Sequence, residues 1–472
     1  MNAGAHEAGF DVIVVGAGPA GEVAAGRLAE HGKRVALIER HLVGGECAYY
    51  ACMPSKALLR PAEALEEARR IPGAAEAIRG GLDVGAVLER RDEVIHGLSD
   101  ESQLPWLEHR SIELVRGRAR LEGARRVRVG ERVLEAAEAV VLATGSGALL
   151  PPIPGLAEAA AWTNREITTA SEAPASLVVL GGGVVGVEMA QAWASLGTRV
   201  TLVEALERLI AREEPVAAQE LEEALSADGI DVRVGLPATE VRREDGAIVV
   251  RLQSGEEVAG EHLLVAIGRK PFTPELGLES VGLPGEGYID VDEHLRVPGH
   301  PWLYAVGDAN GRSLLTHSGK YQARIAADNI LGREAVLRGE GEEAPRVIFT
   351  RPQVAAVGLT LAGARERGRS AEAIDLPTGG TAGASFYGRG APGTTRFVVD
   401  IEREVLLGVT FVGPEVADFL QAATIAVKAE VPLARLAHAV APFPTRSELW
   451  LKFIEAYESR RGVSLHAVAA PA

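Results

Sequence analysis

The first regular pattern begins at Phe10. FDVIVV is a continuous apolar run, GAGPAG follows it, VAAGRLAE repeats apolar positions at helical spacing, and RVALIE is a second apolar run. Strand, glycine turn, helix and strand make a βαβ unit, whose crossover sets its two strands parallel in one sheet. From Pro54 to about Asp100 the pattern is helical, and KALLRPAEALEEARR sets its apolar positions on one face, which predicts a helical arm. The period changes again over residues 112–145. IELVRG, RARLEG, RRVRVG and AEAVVLATGS read as short strands, an antiparallel excursion that returns to the main sheet.

PPIPG at 151–155 marks a boundary, and SLVVLGGGVVGVEMAQAWASLGTRVTLVEA then repeats the strand, turn, helix, strand plan. The chain therefore holds two copies of one architecture. The second copy closes near LLVAIGRKP at 263–271, after which LYAVGDANG and the helix GKYQARIAADNI read as a return to the first domain. From about Arg346 the strands RVIFT, RFVVD and VLLGVTFVG and the helices ADFLQAATIAVKAE and RSELWLKFIEAY predict a third, α+β domain.

Composition narrows the class. With 472 residues, 47% hydrophobic and 24% charged, the chain has room for several ordinary cores and excludes a disordered or disulfide-stapled protein. The most apolar stretches are interrupted by Glu22 and Glu188, so no transmembrane span is expected. MNAGAHEAGF lacks the basic and apolar regions of a secretory signal, so a cytoplasmic protein is expected. The formal charge of −16 disfavours nucleic acid and anionic membranes as partners.

In GAGPAG, Gly16, Gly18 and Gly21 stand between a strand and a helix, where glycines allow a tight turn and let a pyrophosphate approach the helix N-terminus. Glu39 ends the next strand, placed for a ribose 2′-hydroxyl. GGGVVG repeats the arrangement with Gly181, Gly183, Gly186 and Glu204. Two dinucleotides are the economical reading. The chain has two cysteines, Cys47 and Cys52, in GGECAYYACMPSK. With His41 they still lack a fourth ligand and zinc spacing, so no metal site is expected and redox chemistry leads, with a pair of inert buried thiols as the alternative. Five residues of ideal helix rise about 7.5 Å, past the roughly 7 Å Cα limit of a disulfide, so a bond between them requires a distorted turn and would be exchangeable.

Read in order, GAGPAG, GGECAYYACMPSK, VVLATGS, GGGVVGVE, VAIGRKP, YAVGDANG, IFTRPQVAAVG and PTRSE resemble the motifs of the class I FAD-dependent pyridine nucleotide-disulfide oxidoreductases. That is the family of dihydrolipoamide dehydrogenase, glutathione reductase and mercuric reductase, and the resemblance runs from about residue 9 to 460. It implies an α/β fold with two Rossmann-like dinucleotide-binding domains and a C-terminal α+β dimerisation domain. The expected boundaries are 1–150 and 271–340 for FAD binding, 151–270 for NAD(P) binding and 341–472 for the interface of a homodimer whose active site is shared between chains. Cys52 is then the charge-transfer thiol against the flavin and Cys47 the interchange thiol that attacks the small-molecule acceptor. Lys56 pairs with Glu188 near the flavin, where a cation would stabilise reduced flavin and the Cys52 thiolate. Gly45, Ala119, Thr144, Gly145, Gly268 and Gly307 fall in cofactor-binding stretches, and Asp308 corresponds to the aspartate that binds the ribityl chain. Because Glu204 would repel a 2′-phosphate, NADH is expected over NADPH, with Arg208 as a possible offset.

Three departures stand out. Glu46 replaces the threonine usual before the first cysteine, and Tyr49 and Tyr50 lie between the cysteines, where core packing is the simpler reading. Phe443 occupies the position of the family's catalytic histidine, although Pro444, Thr445 and Glu448 remain. His438 is expected to be a surface helix residue and His317 to be structural. Phenylalanine there is similar to the unusual member ketopropyl-coenzyme M oxidoreductase/carboxylase, which also exchanges the glutamate that this chain keeps. The expected function is electron transfer from NADH through FAD and the cysteine pair to a disulfide or related acceptor. A diaphorase or quinone reductase, whose nicotinamide site the small Val184 would obstruct little, is the first alternative, ahead of a carboxylase-like member or a redox-sensing binding protein. The chain has no C-terminal cysteine pair, which argues against the mercuric reductase relay.

Overall fold

The computed structural model describes residues 9–388, 390–391 and 393–467. They fall into two compact units, one of Met1–Pro54, Glu89–Leu149 and Gly268–Gly341, the other of Ser55–Leu88, Leu150–Ile267 and Glu342–Ala472.

In the first unit, β1 (Phe10–Val15), α1 (Pro19–Glu30) and β2 (Val35–Glu39) form the βαβ core, followed by α2 (Gly45–Tyr49) and the start of α3 (Cys52–Arg70). The strands β3 (Glu113–Arg116), β4 (Ala119–Leu121), β5 (Arg126–Val129) and β6 (Arg132–Leu142) come next. The sheet runs Arg296–Val297, His300–Ala305, β6, β1, β2, β3, with every neighbouring pair from His300–Ala305 to β3 parallel. Successive residues of a strand face opposite sides, and β1 uses both. Ile13 and Val15 join Ile38, Val140 and Leu142 in one core, while Val12 and Val14 join Ala24, Leu28, Leu37 and Val141 in another. That explains why β1 reads as an unbroken apolar run.

Two expectations are corrected here. β3 is a parallel edge strand beside β2, so the antiparallel excursion is only β4, β5 and β6; alternation in a short strand does not encode its partner. The helical arm is also broken, because α3 stops at Arg70, before Ile71-Pro72-Gly73, and after a 3-10 turn at Ala75–Ala77 α-helix resumes only at Val84–Val94.

In the second unit, the strands Asp231–Arg233, Arg199–Val203, Ser176–Leu180 and His262–Val265 form an all-parallel sheet. The helix Val184–Ser195 presents Val187, Met189, Ala190 and Trp193 to a core with Leu177, Val179 and Leu202. A three-stranded antiparallel sheet (Ala238–Glu244, Ala247–Leu252, Glu257–Gly260) is inserted before the last parallel strand. The C-terminal part has a five-stranded antiparallel sheet ordered Arg346–Ile348, Gln353–Gly358, Val405–Gly413, Thr394–Asp400, Ala371–Pro377. The helix Leu449–Arg461 packs Phe453 and Tyr457 into its core with Phe397 and Phe411, and Phe397 and Phe453 stack at 4.2 Å. Both expected C-terminal helices begin with a 3-10 turn, Val416–Phe419 and Arg446–Glu448.

Candidate active site

The two glycine turns, each within its own unit, have almost the same geometry. Gly16 (φ 101°) and Gly181 (φ 111°) leave their strands in a conformation that disfavours a side chain, and a Cβ at either would meet a carbonyl, that of Ala143 or Ala266. Gly21 and Gly186 lie so close to the carbonyls of Gly16 and Gly181 that no side chain fits. The middle glycines, Gly18 and Gly183, are the N-caps of α1 and of Val184–Ser195, and neither cap has a side chain to take up the free N–H groups. Val184 opens its helix with an exposed side chain.

The acids match as well. Glu39 accepts hydrogen bonds from the amides of Ala17 (2.8 Å) and His41 (2.7 Å), and Glu204 from those of Gly182 (2.5 Å) and Leu206 (2.7 Å). Each carboxylate is thereby fixed at a strand end with lone pairs left for ribose hydroxyls. Arg208 is turned to the carbonyls of Ala211 and Glu213, at 2.7 and 3.3 Å.

In the first unit the other expected FAD-side residues gather on loops at the strand ends. Thr144 and Gly145 follow β6, and the Thr144 hydroxyl is buried without a protein partner. Gly307 and Asp308 open the 3-10 turn Gly307–Asn310, where the Gly307 amide donates to Gln322. Ser146 donates to Asp308, and Arg269, next to the exposed Gly268, donates to the Ser146 hydroxyl (2.7 Å) and carbonyl (2.6 Å). Ala119 is buried in β4. Gly45 rests against Gly18, where its own Cβ would come within 2.8 Å of the Gly18 Cα. A capless helix N-terminus, an anchored acid and an orphaned buried hydroxyl fit FAD in the first unit, and the same turn and acid fit a nicotinamide dinucleotide in the second.

Cys47 lies in α2 and Cys52 is the first residue of α3, with a helix break at Tyr50 and Ala51 between them. The break supplies the distorted turn that their spacing demands. Both are free thiols, hydrogen-bonded to one another, and that bond, followed by burial, pushes the Cys47 thiol well above its ordinary range. The Cys52 sulfur is also 3.4 Å from the Thr316 hydroxyl. Tyr49 is fully buried and donates to the Val43 carbonyl, whereas Tyr50 keeps partial exposure.

In the second unit Lys56 donates to Glu188 at 2.7 Å, and its ammonium lies 4.7 Å from the Phe349 ring centre. Glu188 is buried and its other oxygen accepts from the Phe349 amide, so the pair is anchored at both ends. Phe443 is exposed, at 75% of its surface, ahead of Pro444. Glu448 caps the helix Leu449–Arg461, and one of its carboxylate oxygens is buried without a protein partner. Arg446 holds the intervening loop, with its guanidinium between the rings of Tyr387 (4.6 Å) and Phe419 (4.5 Å) and a hydrogen bond to the Pro414 carbonyl. His438 is exposed in a turn, edge-on to His466, and His317 is exposed in the helix Thr316–Ile330.

The family model for pyridine nucleotide-disulphide oxidoreductases matches residues 10–326, and that for their dimerisation domain matches residues 344–453. The chain belongs to this family. Similar members include a dihydrolipoyl dehydrogenase of Thermus scotoductus, 33% identical over 95% of this chain and 97% of the relative. A mercuric reductase of Staphylococcus aureus is 30% identical over 93% of this chain and 81% of the relative. Among solved structures, the HOCl-induced flavoprotein disulfide reductase RclA from Escherichia coli superposes with a TM-score of 0.83 at 25% identity, covering 94% of this chain and 99% of its own. LpdA from Mycobacterium tuberculosis superposes with a TM-score of 0.81 at 27% identity, covering 96% and 100%.

As a family member the chain is an α/β oxidoreductase, a flavoprotein that binds FAD and a pyridine nucleotide and carries the family's dimerisation domain. No helix among the described residues is long and apolar enough to cross a membrane. Thr316, Ser146 and Arg269 carry no signal of their own in the sequence. The only pointer to them is position, since each falls in or beside a glycine-bearing segment, LLTHSG, ATGS or GRKP.

Proposed function

We propose that this protein is an NADH-dependent disulfide reductase working through Cys47 and Cys52 in a homodimer. The observation that carries this reading is the hydrogen-bonded Cys47–Cys52 thiol pair in the unit that holds the FAD-type glycine turn. Bound FAD supplies the two-electron relay that takes electrons from NADH and returns the Cys47–Cys52 disulfide to the dithiol. Cys47, whose raised pKa keeps it a thiol until its proton is removed, attacks as thiolate one sulfur of the substrate disulfide, forming a mixed disulfide and expelling one substrate thiolate. Cys52 then attacks the Cys47 sulfur, expelling the second thiolate and closing the Cys47–Cys52 disulfide. Summed over a cycle, NADH, one proton and RSSR give NAD⁺ and two RSH. Lys56, held by Glu188, is the cation that favours reduced flavin and the Cys52 thiolate.

The fixed Glu204 carboxylate, with Arg208 engaged in its own loop, supports NADH over NADPH. The exposed apolar side chains of Ile425, Val440 and Phe443 in the dimerisation domain support a surface that a second copy covers and an active site shared across that interface. The thiol pair also suits a reducing cytoplasm. Phe443 favours a second reading, a diaphorase or quinone reductase, because flavin-level reduction needs no protein acid at that position. Lipoamide, glutathione disulfide, persulfides and quinones as acceptors, each with wild type and Cys47→Ser, separate the two. Disulfide turnover that vanishes in Cys47→Ser supports thiol chemistry, and quinone turnover that survives it supports the diaphorase. If none of these acceptors supports NADH consumption, both readings fall and a redox sensor is left.

A further inference from the structure

Glu46 is the one acidic residue of α2, and it follows Gly45, the residue that rests against the N-cap of α1. A carboxylate beside that helix N-terminus opposes the anionic diphosphate of a dinucleotide. The structure shows what balances it. One terminal nitrogen of Arg269 is 3.9 Å from the Glu46 carboxylate, and the same guanidinium binds both oxygens of Ser146 and stands 3.6 Å from Asp308. Both ends of the Arg269–Glu46 pair are largely buried, with about a fifth of each side chain exposed, so solvent screens the charges little. Arg269 thus divides its charge between two carboxylates, Glu46 and Asp308.

We propose that Glu46 sets the affinity for the diphosphate of FAD: its carboxylate takes up Arg269 charge that would otherwise serve the cofactor, and flavin is held less tightly than a neutral residue would allow. This rests on the reading that the first glycine turn binds FAD. In the full-length apoprotein, titrated with FAD and followed by flavin fluorescence, Glu46→Gln is expected to lower the dissociation constant about three- to tenfold. Glu46→Thr is expected to move it the same way, and Glu46→Asp, which keeps the charge, to stay near wild type. Arg269→Gln is expected to weaken binding. An unchanged or weaker affinity in both neutral Glu46 variants, with ordinary FAD uptake by wild type, would overturn the role of Glu46 alone. A wild-type apoprotein that takes up no FAD would overturn the reading of the glycine turn and this proposal with it.

Discussion

The Thr316 hydroxyl oxygen lies 3.4 Å from the Cys52 sulfur, at the start of the helix Thr316–Ile330. A hydroxyl donated to a thiolate stabilises it, and a hydrogen bond to a charged group contributes about 1.5–3 kcal/mol. Two-electron reduction of the holoenzyme is therefore expected to give a long-wavelength thiolate-to-flavin absorption that Cys52→Ser abolishes. In Thr316→Val the same band should appear only at higher pH, with its midpoint raised by about one unit. A band that persists in Cys52→Ser would reassign the charge-transfer thiol.

The proposed NADH preference rests on Glu204. Its carboxylate is fixed by the amides of Gly182 and Leu206, so a 2′-phosphate would meet a charge that cannot swing away. Catalytic efficiency should be higher with NADH than with NADPH, and Glu204→Gln should shrink the ratio by about tenfold or more. A wild-type preference for NADPH would refute the assignment.

Phe443 has no proton to give. General acid catalysis is typically worth about 10²- to 10⁴-fold, so turnover of lipoamide or glutathione disulfide should be slow while reduction of the enzyme by NADH stays fast. Phe443→His would put an imidazole five residues before Glu448, whose buried oxygen has no protein partner. Activity on disulfides that bind is expected to rise in that variant. Rapid wild-type turnover, unaffected by the substitution, would show that another group supplies the proton.

Glu22, in the first turn of α1, has its pKa raised to about 7 by burial, with Glu39 adding to the rise and Lys320 opposing it. The folded apoprotein thus holds this proton more tightly than the unfolded chain. The stabilisation is complete below about pH 4.5 and is lost as pH rises through about 7. Since the side chain keeps some solvent contact, the effect is about 1–2 kcal/mol. Thermal melts of the apoprotein should show a falling Tm across that window, and Glu22→Gln should flatten it. Parallel profiles for the two proteins would rule out Glu22 as the titrating group.

The parallel cores were legible because burial on both faces leaves an unbroken apolar run, as in β1 and Ser176–Leu180, and glycine turns betray themselves by steric need, as at Gly21 and Gly186. Partner choice was not legible. β3 alternates like its neighbours yet joins β2, and in the inserted sheet from Ala238 to Gly260 the two partly exposed outer strands flank a buried middle strand, Ala247–Leu252. Of the candidate site, the motif residues could be named from the chain, but Thr316 and Arg269 act through proximity created by folding, across hundreds of residues in sequence. Glu46 was visible only as a departure, and its counterion lies more than two hundred residues away.

The loop before the last helix is pinned by Arg446, clasped between two aromatic rings, and not by Phe443, which points its surface outward. Within a single chain, side-chain identity at 443 is thereby released from the demands of folding, and only the proposed interface would constrain it. Histidine, phenylalanine or another residue could occupy the position with little change in the loop that carries it, so that, if position 443 has the proposed role, a single substitution would exchange the proton chemistry while the loop stays still.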